Sequence, residues 1–284
     1  MLALASHKHV FVEKPMALSL FDAHAIVEAE KVSSGKVFVG YMRRYAAGFH
    51  EIHEEIKQLG SIVYARVRDI IGPNETFVEQ SSTFPRRFTD YPPEETKERA
   101  ALSKQTLRQA LEIECKVDTS PDLVTQYQNL CSLGSHDLSA MREVLGMPDD
   151  VTGASLGNDF WSVLFKYPGY TVSYESGFHN IPMFDAHIEV YGQDKSVRIE
   201  WDNPFIRGLP VSTTVRQRLN GGLRETHTRK TYEDPFILEL KEVHAMVTED
   251  KAVKTSAQDS VNDIHIWQMI IRAAARSITT RSKI

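Results

Sequence analysis

Residues 10–41, VFVEKPMALSLFDAHAIVEAEKVSSGKVFVGY, read as strand, helix, strand. The run from Val10 is apolar and is closed by Pro15, the pattern of a buried parallel strand rather than a half-exposed one. Ser19 with Asp22 gives a capping-box-like helix start. Ala23, Ile26, Val27 and Ala29 make the next turns, and Ser33-Ser34-Gly35 stops them. Val37 to Gly40 then forms a second short apolar strand. This spacing is that of a βαβ unit, a parallel pair joined by a right-handed crossover.

Further along, Phe49, Ile52, Ile56 and Leu59 lie on one side of a short helix stopped by Gly60. In SIVYARVRDII, Val63, Ala65 and Val67 alternate with Tyr64, Arg66 and Arg68, which predicts a half-exposed strand. Residues 73–118 are charged, with Leu107 and Leu111 one turn apart, and read either as a surface helical excursion or as a binding arm. Ser120-Pro121-Asp122 opens another helix, which leads into SLGSHDLSAMREVLG. From residue 151 the period becomes two: one hairpin turns at Tyr167-Pro168-Gly169-Tyr170 and another between Gly192 and Lys195. Residues 202–231, with Gly221-Gly222, read as an irregular mobile segment, and the remainder is helical.

The fold expected is therefore a partial α/β unit over 1–45, followed over 46–284 by an α+β domain. Its large, open, mostly antiparallel sheet would be covered by helices on one face. The chain has 284 residues, 42% of them hydrophobic, and a net charge of -5, so it lacks the basic footprint of a nucleic-acid or anionic-membrane binder. A small-molecule substrate is the expected partner. The two cysteines, Cys115 and Cys131, form neither a disulfide framework nor a Cys-x-x-Cys pair, and no window has the apolar length of a membrane span. We expect a soluble, cytoplasmic, unprocessed protein.

Residues at the carboxyl end of a parallel strand line the crevice where α/β sheets bind ligands, which singles out Glu13-Lys14-Pro15. A Lys14 ammonium there can hydrogen-bond a substrate hydroxyl or a nucleotide ribose. His136 sits in a helical pattern on the same face as Ser132 and Ala140, and an imidazole can take a hydroxyl proton as a hydride leaves an alcohol carbon. His179 faces either the same cup or solvent. Arg43-Arg44 meets either a carboxylate or phosphate group or a structural ion-pair partner. His50 and His53 have the wrong spacing for a helical zinc site, and no Walker loop or nucleophile elbow is present.

Residues 5–45, with Glu-Lys-Pro and Arg-Arg-Tyr, together with LGSHDLSAMREVLGMP and HIEVYGQDKSVRIE, resemble the Gfo/Idh/MocA (glucose-fructose oxidoreductase / inositol dehydrogenase) family over nearly the whole chain. The resemblance implies a Rossmann domain that binds NAD or NADP and a substrate domain whose open sheet often forms a dimer interface. It also implies hydride transfer on a sugar, polyol or related alcohol or ketone. It makes Lys14 and His136 the catalytic pair; we further expect Glu13, Lys14, Pro15 and Arg44 at the cofactor and Asp137 and His179 at the substrate. Two departures are evident. Ser132 stands where the family carries an aspartate, and no Gly-x-Gly-x-x-Gly occurs. A βαβ unit takes about 30 residues or more, so we expect roughly two such units of the Rossmann domain to be lacking. The alternatives are a cofactor-free acid-base enzyme using the same cup, or a non-catalytic partner that dimerises through its sheet.

Overall fold

Val10–Glu13 (β1) and Val37–Gly40 (β2) pair in parallel around the helix Leu20–Lys31 (α2), with Val10 opposite Val37 and Glu13 opposite Gly40. In this computed structural model residues 1–82, 84–206, 208–209 and 211–281 are described. The Ser19 hydroxyl caps α2 by accepting the Asp22 N–H at 3.1 Å. A second cap arrives from far along the chain, because the Glu114 carboxylate accepts the N–H groups of Leu20 at 2.9 Å and Phe21 at 3.0 Å. The Lys14-Pro15 peptide is cis.

Only β2 is the buried strand that the apolar pattern predicts. In β1, Phe11 is 40% exposed and Val10 and Val12 are half-buried. The cause is position in the sheet. β1 pairs with β2 alone, whereas the Val39 N–H of β2 also donates to the Thr255 carbonyl at 2.9 Å.

The main sheet has eight strands. Tyr64–Ile71 (β3) lies in its middle, parallel to Tyr170–Phe178 (β6) and antiparallel to Phe184–Tyr191 (β7). Beyond β6 come Phe160–Tyr167 (β5) and Asp150–Leu156 (β4). Beyond β7 come Lys195–Trp201 (β8), Ser212–Leu219 (β9) and Gly222–Arg229 (β10). The predicted alternation in β3 is present: Ala65, Val67, Asp69 and Ile71 are buried, and the residues between them are not. Helices Ala47–Lys57 (α3), Gly134–Leu145 (α7) and Ala257–Arg281 (α9) pack on the buried side. One continuous apolar cluster joins Val37 and Val39 of β2 to Val67, Ile188 and Trp267, so packing is unbroken across residue 45.

Two expectations need correction. Residues 202–231 contain the β9–β10 hairpin rather than only an irregular segment. Asn220 and Gly221, at φ 50° and 83°, form the two-residue turn whose positive φ values suit the strand twist. Within 73–118, Pro93–Arg108 (α5) is exposed apart from Leu107, but Gln109–Cys115 continues it as a π-helix that buries Ala110, Leu111 and Cys115. The excursion therefore re-enters the core at its end, where it delivers Glu114 to α2.

A buried ion network ties α9 to α7 and to the 3₁₀ turn Met42–Tyr45. Arg142 donates Nε to Asp263 at 2.5 Å and its two Nη groups to Asp259 at 2.6 and 2.7 Å. Tyr41 donates to Asp263, and Arg44 bridges Glu143 and Asp259. Removing one partner leaves a buried charge uncompensated. Asp263→Ala is therefore expected to cost about 3–5 kcal/mol, read as a lower urea midpoint at an unchanged slope.

Candidate functional site

A cleft of about 280 Å³ opens where β1 meets the main sheet, lined by Lys14, Arg43, Asn74, Ser132, His136 and the aromatic rings of Phe178, Phe184 and Phe205 among others. Each polar group arrives from a different element. Lys14 follows the last residue of β1, Arg43 lies in the 3₁₀ turn after β2, and Asn74 opens the helix Asn74–Gln80 (α4). Ser132 ends the helix Pro121–Ser132 (α6), and His136 lies in the first turn of α7. The structure thus brings the two expected catalytic residues, Lys14 and His136, to one cavity although they are far apart in sequence.

Lys14 Nζ donates to the backbone carbonyl of Ser132. Burial, then the nearby Arg43 guanidinium, lowers its pKa to about 8. The contribution of Ser132 is a carbonyl dipole, which orients the ammonium without adding a full charge. Burial and the cations Lys14 and Arg43 hold His136 well below the usual histidine range, so its imidazole is neutral at pH 7. Its Nδ1 is buried with no partner, as a group that receives or gives a proton to a bound molecule requires.

The remaining expected residues fall elsewhere. Asp137 is 2% exposed and pairs with Arg43, and its Oδ2 accepts the Tyr174 hydroxyl at 3.4 Å, so it lies behind the cleft rather than at its surface. The helix explains this: adjacent residues point about 100° apart, and with His136 facing the cleft Asp137 faces the sheet. Arg44 is 3% exposed, its guanidinium is held by Glu143 and Asp259, and it does not line the cleft. His179 follows the end of β6. Its Nδ1 accepts the Ile181 N–H at 2.8 Å, while the neighbouring Phe178 lines the cleft. Glu13 sits at the end of β1, with its carboxyl beside Gly40.

Sequence reasoning singled out the Arg43-Arg44 pair but set Arg44 rather than Arg43 at the site, and it missed Asn74, the aromatic wall and the buried Asp69. Arg43 Nη1 lies 3.0 Å from Asp69, and its guanidinium carbon lies 5.6 Å from the ring centroids of Phe184 and Trp201. Asp69 had a visible signal, because it occupies the same register in β3 as Ala65, Val67 and Ile71. Glu239, buried and opposite Glu13, is pushed up to about 8 by burial and then by Glu13. It carried no pattern of its own.

Residues 1–41 match the GFO_IDH_MocA pattern, described as an oxidoreductase family with an NAD-binding Rossmann fold. Inositol 2-dehydrogenase 3 of Saccharopolyspora erythraea is 47% identical over 53 residues, which are 18% of this chain and 16% of that protein. The matched stretch is thus a small part of that relative. Among solved structures, aldose-aldose oxidoreductase from Caulobacter crescentus, complexed with glycerol, superposes with a TM-score of 0.65 at 18% identity, covering 97% of this chain and 72% of that one. An oxidoreductase from Agrobacterium radiobacter, in complex with NAD+, L-tartaric acid and magnesium, gives 0.61 at 14% identity, with 97% and 73% covered. The fold is that of these oxidoreductases. Among the described residues no helix is long and apolar enough to cross a membrane.

The lowered Lys14 pKa has a consequence for stability. A lysine whose folded pKa of about 8 lies below its ordinary 10.5 destabilises the fold fully below pH 8, and the penalty fades as the pH rises to 10.5. Lys14→Met is therefore expected to be more stable than the parent at pH 7. Denaturant titrations should show the gain shrinking between pH 8 and 10.5, and a gain independent of pH would contradict the burial of this ammonium.

Proposed function

We propose that this chain is an oxidoreductase of the Gfo/Idh/MocA kind, acting with NAD or NADP on a small sugar, polyol or related alcohol or ketone. The observation that carries the reading is the convergence of Lys14, from the segment that matches the NAD-binding Rossmann family, and His136, from the helix that covers the main sheet, on one cleft. Glu13, Lys14 and Pro15 lie at the carboxyl end of β1, where α/β sheets receive nucleotides, and the cleft beside them is open. These residues fit the nicotinamide end of a dinucleotide. No Gly-x-Gly-x-x-Gly turn for its diphosphate occurs among the 284 residues.

A bound nicotinamide would supply the hydride acceptor or donor. The protein's own part is proton handling and orientation. Lys14, held by the Ser132 carbonyl, directs an N–H at the substrate oxygen. The neutral imidazole of His136 accepts the hydroxyl proton during oxidation and returns it during reduction. The rings of Phe178, Phe184 and Phe205 exclude water from one side of the reacting carbon. Both cysteines are buried and free, which supports a reducing, cytoplasmic setting.

The open face of the main sheet supports a homodimer. It carries Arg66, Arg68, Arg198 and Arg216 interleaved with Glu175, Asp185, Glu189 and Glu225, and beside them Phe160 and Leu164 are each 47% exposed. A face of alternating sign can meet its own two-fold copy.

Fluorescence titration with NADH and NADPH tests the cofactor, with saturation expected within about 1 mM for one of them. A linear response to both would overturn the reading. With an active alcohol in hand, Lys14→Ala and His136→Ala are each expected to lower kcat/KM by about 10²–10⁴-fold. Light scattering on the purified chain should give twice the monomer mass, and Arg216→Glu should shift it toward monomer.

A further inference from the structure

The ion cluster beneath the cleft floor does not balance as drawn. Among the described residues, Arg43 is the one cation paired with these two buried carboxylates: Asp69 lies 3.0 Å from its Nη1, and Asp137 accepts from the same nitrogen. Asp69 is 0% exposed, Asp137 2% and Arg43 3%. With both acids ionised, the trio would carry a net charge of -1 out of reach of water, at a cost of several kcal/mol. Lys14 does not cancel it by contact, because its ammonium donates to the Ser132 carbonyl and not to either carboxylate. Apart from the Arg43 Nη1 at 3.0 Å, neither buried oxygen of Asp69 meets a hydrogen-bond donor among the described residues, although an ionised carboxylate would demand several.

We propose that Asp69 and Asp137 share one proton, so that the trio they form with Arg43 is electrically neutral and no net negative charge beneath Lys14 holds the proton on its ammonium. The proposal rests on the oxidoreductase reading for its purpose, but the protonation itself can be observed without turnover. A carboxylic acid in this pair supplies the missing donor and links the two side chains, as adjacent carboxyls do when a single guanidinium cannot serve both. Burial, and then the Asp69 carboxylate, push Asp137 well above the usual carboxylate range, in agreement with the geometry.

The groups that face the pair come from every element packed around it. Arg43 comes from the 3₁₀ turn and Tyr174 from β6, its hydroxyl 3.4 Å from Asp137. Lys14 and Glu13 lie at the end of β1, His136 is on α7, and the Ser176 hydroxyl donates to the Asp69 backbone carbonyl at 2.9 Å. Phe184 and Trp201 close the far side of the guanidinium with their rings. None of these supplies a second positive charge in contact with the acids.

The consequence for Lys14 is electrostatic. If both acids were ionised beside it, a net negative charge would favour the ammonium and hold its proton. Burial and the Arg43 charge lower the Lys14 pKa to about 8 against the opposing pull of Asp137, Glu13 and Asp69, and a neutral trio would weaken that opposing pull.

The test uses the whole chain labelled with carbon-13 at the aspartate carboxyl. The Asp137 carboxyl carbon, assigned through its contact with the Tyr174 ring, is expected to report a shared proton at pH 6, where ordinary aspartates are ionised. Full ionisation of both Asp69 and Asp137 at pH 6 overturns the proposal. This measurement on the unmodified protein does not depend on any variant folding.

The Asp69→Asn variant adds a second arm, read by the carbon-13 titration of the Lys14 ε-carbon. If one proton is shared, the substitution removes that proton and leaves Arg43 and Asp137 as a neutral pair, so the Lys14 midpoint should move by less than about half a pH unit. If both acids are ionised in the parent, the same substitution deletes a negative charge, and the midpoint should fall by about 1 unit or more, which would refute the shared proton. A failure to bind NADH or NADPH would sink the oxidoreductase reading and leave both carboxyl measurements as they stand.

Discussion

The buried guanidinium of Arg43 is the constraint on which the rest of the site depends. It leaves the 3₁₀ turn that follows β2, meets Asp69 in the central strand β3, and meets Asp137 in α7. Three elements distant in sequence are thereby fixed to one point. A planar, permanently charged fork suits this duty, whereas a lysine would satisfy one carboxylate and could shed its charge on burial. Because His136 precedes Asp137 on α7, the ion pair also fixes the rotation of that helix. The imidazole then faces the cleft and the carboxylate faces the sheet.

The arrangement separates two kinds of charge. The network of Arg142, Asp259, Asp263 and Arg44 is fully paired and joins the last helix to the body of the protein. In the cluster below Lys14 one guanidinium faces two carboxylates, and among the described residues the His136 Nδ1 is buried without a hydrogen-bond partner. Natural folds satisfy such atoms almost everywhere, so an unpartnered imidazole nitrogen beside an open cavity supports the proposed site. The aromatic wall completes the contrast by lowering the polarity in which those charges act.

Much of the architecture was legible because it rests on local rules. Ser19 and Ser120 cap the helices they precede, and the β3 register follows its alternation. The Tyr167–Tyr170 hairpin turns at its Pro-Gly pair. The β9–β10 hairpin is equally legible in the Asn220-Gly221 pair, although the adjacent Gly221-Gly222 suggests an irregular segment. What the sequence could not show were partnerships at long range. Nothing near Leu20 announces that Glu114 will cap its helix, and nothing in Arg43-Arg44 tells which arginine turns to the cleft and which to Glu143. The apolar β1 misled for a related reason, since burial depends on neighbours on both edges and β1 has one.

The serine at position 132 changes the logic of the site rather than simply weakening it. An aspartate there, as the resembled family carries, would place a full negative charge beside both Lys14 and His136, holding the ammonium protonated and raising the basicity of the imidazole. Ser132 instead offers Lys14 a backbone carbonyl, which any residue would supply, and its own hydroxyl donates to the Asn129 carbonyl at 3.2 Å. The imidazole is left neutral and the lysine near 8. On the proposed reading, the serine leaves His136 without a carboxylate behind it, and the charge of the Arg43 cluster bears on how firmly Lys14 holds its proton.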